Sequence, residues 1–212
     1  MNISRFSRCL LAVCIFVIPA QSVVAKDWGS SSDWGSSSGR EQALEELKDY
    51  DSAVRRSALA RLAETGLNED VPHMLRLLRD DDFAVRSMAH QAITGLWLRL
   101  DNLSAKRLFV KSALAMQNGN PQKAIELLDG VIEAEPLFSE AWNKRGDAWL
   151  YVGDLDRALA DYEVALELNP YHYEVMQSCA SIWMERSEAR KALNYLSGAM
   201  AINPNLEHLI TV

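Results

Sequence analysis

The sequence predicts an all-α fold, a right-handed α-solenoid of stacked helix pairs, and three observations carry that prediction. Residues 105–206 superimpose on themselves when shifted by 34 positions, which brings Pro136, Pro170 and Pro204 into register. Residues 47–62 superimpose on 78–93 at an offset of 31. Glycine and proline number only 10 and 6 in 212 residues, too few for the frequent turns of an all-β chain. Fixed periods of this size are the mark of repeated supersecondary units that bury their apolar faces against one another.

The first segment, residues 1–25, reads as a secretory signal peptide. Arg5 and Arg8 precede an apolar run from Cys9 to Ala20, and Val23-Val24-Ala25 offers small residues before a cut at Lys26. The run is short for a membrane span, which needs about 20 apolar residues. An uncleaved anchor is the other reading. Removal of this segment takes Cys9 and Cys14 with it and leaves Cys179 alone, so no internal disulfide is expected even in an oxidising compartment. The expected location is therefore exported, periplasmic or secreted.

Residues 26–40 contain DWGSSS twice and are expected to be a flexible Gly/Ser linker. Trp28 and Trp34 are unusual in such a segment. It is either a spacer or a pair of aromatic docking points for a partner or membrane surface.

Residues 41–104 hold the 31-residue repeat. Leu47/Leu78, Asp49/Asp80, Asp51/Asp82, Val54/Val85, Arg55/Arg86 and Ala58/Ala89 align. Asp51 and Asp82 stand just ahead of helical patterns, where a carboxylate caps free N–H groups. Arg55 and Arg86 are expected to reach an aspartate of the neighbouring unit. The pair resembles short HEAT-type repeats, another paired-helix solenoid unit.

The 34-residue units run 105–138, 139–172 and 173–206. Ala124, Ala158 and Ala192 align, as do Ser112, Gly146 and Ala180, and Gly119, Gly153 and Ser187. In the middle unit Trp142, Arg145, Gly146 and Trp149 lie three or four apart, on one helix stripe. Gly146 permits close approach of a second helix carrying Ala158, Tyr162 and Ala165. Gly153-Asp154 supplies the turn and the cap, and Asn169-Pro170 the stop. Trp142, Gly146, Ala158, Tyr162, Ala165 and Pro170 together resemble the signature of the tetratricopeptide repeat. Ser112, Val131 and Ala180 depart from it without adding bulk. Residues 207–212 are a short C-terminal stub. It is expected to cover the outer face of the third repeat only in part, which suggests self-association or docking through that end.

The composition excludes several functions. With 22 basic and 29 acidic residues the net charge is −7, so no nucleic-acid partner is expected. No phosphate-binding glycine loop, zinc spacing or nucleophile elbow occurs. No catalytic residue, cofactor or metal is expected. Cys179 falls on an inward stripe and reads as core. His172, in an inter-repeat turn, reads as solvated.

The tetratricopeptide resemblance implies that ligands contact set positions of each first helix. The chosen residues are Lys106, Phe109, Glu140, Asn143, Asp147, Tyr151, Glu174 and Gln177. Asn143 and Gln177 suit a peptide backbone, and Phe109 and Tyr151 an apolar side chain. Glu140, Asp147 and Glu174 against Lys106 favour a neutral or basic peptide. The expected function is a non-catalytic protein-binding adaptor of the periplasm or cell envelope. Its rivals are a self-associating assembly module of an envelope complex and, more remotely, an enzyme with an unrecognised acidic site.

Overall fold

A computed structural model of the chain describes residues 37–209, with side chains through Leu206. The expected signal peptide and both linker tryptophans lie outside the described residues. Every regular element among the described residues is helical. The elements are α1 (Ser37–Glu46), α2 (Ser52–Thr65), α3 (Val71–Leu75), α4 (Phe83–Trp97), α5 (Leu103–Gln117), α6 (Pro121–Ala134), α7 (Ser139–Val152), α8 (Leu155–Leu168), α9 (Tyr173–Glu185) and α10 (Ala189–Ile202). Short 3₁₀ turns span Arg76–Arg79 and Pro204–Leu209. The helices pair as α5/α6, α7/α8 and α9/α10, and each pair stacks on the next through α6–α7 and α8–α9. This is an α-solenoid of stacked helix pairs.

The 34-residue period reappears as the same bonds made three times. At the turn inside each pair, Asn120, Asp154 and Glu188 donate their backbone N–H to Ala115, Trp149 and Trp183 at 2.9, 2.9 and 2.8 Å. These wrap the helix end in a Schellman-type closure, which needs a left-handed residue. Gly119 and Gly153 supply it at φ 69° and 84°. The third copy has Ser187 at φ 60°, a non-glycine held where a Cβ is disfavoured. At the end of each unit, Glu135, Asn169 and Asn203 bond to Val131, Ala165 and Ala199 at 2.8, 2.9 and 2.8 Å, just before the three prolines.

Gly146 is required by packing. A Cβ there would stand 2.6 Å from Cε1 of Tyr162, which is fully buried in α8. Arg145, beside it, grips Asp161 of α8 with two bonds of 2.8 and 2.7 Å and Asp129 of α6 at 2.7 Å. One guanidinium thus ties three helices. Cys179 is buried in the core beside Val175 and Ile182, and burial pushes its thiol up to about 12.

The N-terminal pairs share their own turn. Asp51 caps α2 through the Ala53 N–H at 2.8 Å, and Asp82 caps α4 through Ala84 at 2.7 Å. Arg55 reaches Asp80 of the next unit at 2.7 Å, as expected. Arg86 does not reach outward in this way. It bonds the carbonyls of Asp80 and Asp81 in its own turn at 2.7 and 3.0 Å.

Two boundaries move. The helix begins at Ser37, inside the segment read as linker, because Arg40 is fixed by tertiary contacts. Its guanidinium binds both oxygens of buried Asp70 at 2.7 Å and also pairs with Glu69. The first helix of the three-unit array likewise starts at Leu103 rather than 105, capped by Asn102.

A larger difference concerns how the N-terminal pairs meet the third repeat. The third repeat is covered in part by the N-terminal pairs. Tyr173, Met176, Ala199, Ile202 and Leu206 join one hydrophobic cluster with Leu59, Leu62, Leu78, Ile93 and Trp97 of the N-terminal pairs. Asn205 donates to the Leu78 carbonyl at 2.7 Å, and Arg79 to that of Ala201. The N-terminal pairs therefore fold back onto the last repeat. Leu193, further along α10, stays 63% exposed.

Candidate functional site

The residues expected to meet a partner sit on α5, α7 and α9, at equivalent places in three equivalent helices. The structure divides them into open and sealed groups. Lys106 on α5 is exposed, and Phe109 is half-buried edge-on to Phe138, with ring centroids 5.2 Å apart. Tyr151 is 47% exposed at the end of α7. Glu174 and Gln177 on α9 are half-buried. Asp147 is also half-buried, but both its oxygens are engaged. One accepts from the Tyr162 hydroxyl at 2.8 Å, the other from Lys144 Nζ at 3.1 Å. Burial and then the Asp147 charge push the Tyr162 hydroxyl well up. Burial pulls the Lys144 ammonium down, yet Asp147 and Glu140 outweigh it and hold the group protonated far above neutrality.

Glu140 and Asn143 are sealed, at 3% and 4% exposure. They form an internal cluster with His172. His172 Nε2 pairs with Glu140 Oε1, and Asn143 Nδ2 donates to Glu140 Oε2 at 3.1 Å. Burial alone would raise the Glu140 carboxyl. The charge and hydrogen bond of His172, then Lys144 and Asn143, reverse that and lower it. Trp97 from α4 stacks on the imidazole at 4.7 Å between centroids. A carboxylate and an imidazole in contact form an acid–base pair by chemistry. Here both are buried, and they join the first turn of α7 to the turn that precedes α9.

His172 is therefore not solvated, contrary to the expectation for a turn residue. A signal for this exists in the repeat itself. Phe138, His172 and Leu206 occupy the same place in the three units, and the outer two are large and apolar. That place is packed in every copy. Among the described residues no group of three or more His, Cys, Asp or Glu side chains is arranged to hold a metal ion. No helix among them is long and apolar enough to cross a membrane.

The model of the tetratricopeptide repeat family matches residues 111–173. A TPR repeat-containing protein of Rhizobium etli is 26% identical over 68 residues, which is 32% of this chain and 33% of that protein. The matched stretch thus spans about a third of the relative's length. Two crystal structures of MamA align with TM-scores of 0.47 and 0.45, each at 17% identity. The first alignment covers 76% of this chain and 99% of MamA, the second 85% and 97%.

Proposed function

We propose that this chain is an exported, non-catalytic adaptor that binds a protein segment along the face shared by α5, α7 and α9. The observation that carries the reading is the three-fold repetition of one helix pair, matched over residues 111–173 by the tetratricopeptide repeat family, which presents the same positions from three helices in a row. Stacked pairs of this kind offer an extended surface rather than a deep pocket. The accessible contacts are Phe109, Tyr151, Glu174 and Gln177, with Lys106 at one end. Glu140, Asn143 and Asp147 serve the fold beneath them. The partner segment is neutral to basic, since Glu140, Asp147 and Glu174 still outnumber Lys106 and Lys144. The N-terminal pairs are HEAT-like units whose place is structural. Export rests on the first 25 residues.

Tyr151→Ala combined with Gln177→Ala removes two open contacts without touching the core. A pull-down from envelope extract should lose a protein that the wild-type chain retains, while the melting temperature stays unchanged. An identical set of co-purifying proteins for both chains refutes the binding face. N-terminal sequencing of the mature protein should start at or near Lys26, and a retained Met1 refutes export by cleavage.

A further inference from the structure

The same repeat position meets different surroundings depending on what precedes it. Ala141 and Ala148 of α7 are buried because α6 packs there, and Val175, Cys179 and Ile182 of α9 because α8 does. The equivalent residues of α5 are Arg107, Lys111 and Leu114. All three are exposed, Leu114 to 51%. α4 does not cover them, since it ends at Trp97 against His172 and Tyr173 of the third repeat. The array therefore begins with an open junction face.

That face has a definite chemistry. Leu103, Val110 and Leu114 form one stripe on α5, exposed to 69%, 53% and 51%. Arg107 interrupts the stripe, and Lys106 and Lys111 flank it on either side by the helix angle of about 100° per residue. α5 carries three cations and no acid, within a chain of net charge −7. Among the described residues none of the three is in an ion pair. The internal junction shows what a cation at this place takes. Arg145, the equivalent of Lys111, binds Asp129 on the helix packed before it, at 2.7 Å.

We propose that the open face of α5 docks an amphipathic helix of a partner protein, one whose apolar stripe is bordered by Asp or Glu, lying on α5 as α6 lies on α7. An apolar centre gives contact area, and the flanking charges set partner choice and register. A second copy of this chain is a poor occupant. Its α10 would be the helix to stack there, yet it has Asn194, Ser197 and Ala201 where α6 has Glu126, Asp129 and Glu133. Part of its face is already covered by its own N-terminal pairs.

The test uses the full chain and a stapled helical peptide with the sequence of residues 121–134, which presents Leu, Ile and Val beside Glu126, Asp129 and Glu133. Fluorescence anisotropy should show saturable binding. Arg107→Glu with Lys111→Glu should weaken it by about tenfold or more, with an unchanged melt, since a like-charge juxtaposition replaces an attractive one. A peptide with Lys in place of its three acids should bind the doubly substituted chain and not the wild type. Failure to bind, or binding indifferent to either charge reversal, overturns the proposal. Light scattering that shows a dimer lost on Lys111→Glu assigns the face to a second copy instead. Flotation with phosphatidylglycerol vesicles that depends on the same residues, in a chain that ignores the peptide, assigns it to an anionic membrane.

Discussion

Trp97 lies flat against His172, with the two ring planes 29° apart, and so joins the last turn of α4 to the first residue before α9. Tyr173 completes the contact. Its ring sits 5.7 Å from Trp97, and its hydroxyl bonds His90. Two segments far apart in sequence thus share one aromatic joint, and that joint covers the Glu140–His172 pair.

Trp97→Ala should therefore cost more than a surface tryptophan. The side chain is only 5% exposed, and removal of a large buried ring costs about 3–5 kcal/mol. A denaturant melt should show that loss. Limited proteolysis should then cut between Trp97 and Asn102 faster than in the wild-type chain. Wild-type behaviour in both assays would mean the joint contributes nothing.

Ser187 offers a gain. It holds φ 60° at the place where the other two units have glycine. Ser187→Gly should raise stability by about 1 kcal/mol, the cost of a side chain in the left-handed region. The reverse changes, Gly119→Ala and Gly153→Ala, should lower it by a similar amount. Nothing lies within 4 Å of a Cβ at either glycine, so the effect isolates the backbone.

Gly146→Ala should be severe, because the new methyl meets the Tyr162 ring at 2.6 Å. Overpacking of this kind costs about 1–3 kcal/mol. Combined with Tyr162→Leu, which removes the ring, the alanine should cost less than it does alone. That coupling is read from a double-mutant cycle on equilibrium unfolding. Strict additivity would show that the two residues do not touch.

Acid should loosen the joint between α1 and the rest of the N-terminal pairs. Burial pushes the Asp70 carboxyl up, but Arg40, the Leu67 N–H and the charge of Arg40 together bring it below its ordinary value. A carboxyl lowered in the folded state contributes stability that is present above the unfolded value of about 3.9 and is lost as pH falls toward the folded one. The melting temperature should drop over that acidic range. Asp70→Asn should start lower at neutral pH and show a shallower acid decline. An equal decline in both chains would place the effect elsewhere.

The sequence made the three-unit array legible because each unit spends the same residues on the same bonds. Glycine or serine at the turn, proline after the stop and a small residue opposite Tyr162 are local requirements, and local requirements leave a period. Asp51 and Asp82 were readable for the same reason. The fold-back was not readable. Leu78, His90 and Trp97 meet the third repeat only once per chain, so no period announces them. His172 looked solvated because a polar residue after proline usually is, and its cover comes from a distant helix. Arg40 looked like coil because Ser-Ser-Gly before it favours coil, and its partners Glu69 and Asp70 lie beyond the next helix. Among the site residues, Tyr151 and Gln177 could be placed by periodicity alone. Glu140 and Asn143 could not, since their burial depends on His172 and Trp97.

The return of the N-terminal pairs onto the third repeat also fixes how many repeats the chain can hold. Open solenoids tolerate gain or loss of a unit, because each one touches only its neighbours and their unfolding can start from either end. Here an extra 34-residue unit between α8 and α9 would carry Tyr173 and Ala199 away from Leu78 and Trp97, and the seam would have to break. Such a chain is counted as well as folded. Its N-terminal pairs and third repeat should melt together rather than fray, and folding must wait for contacts between residues more than a hundred positions apart, such as Leu78 and Asn205.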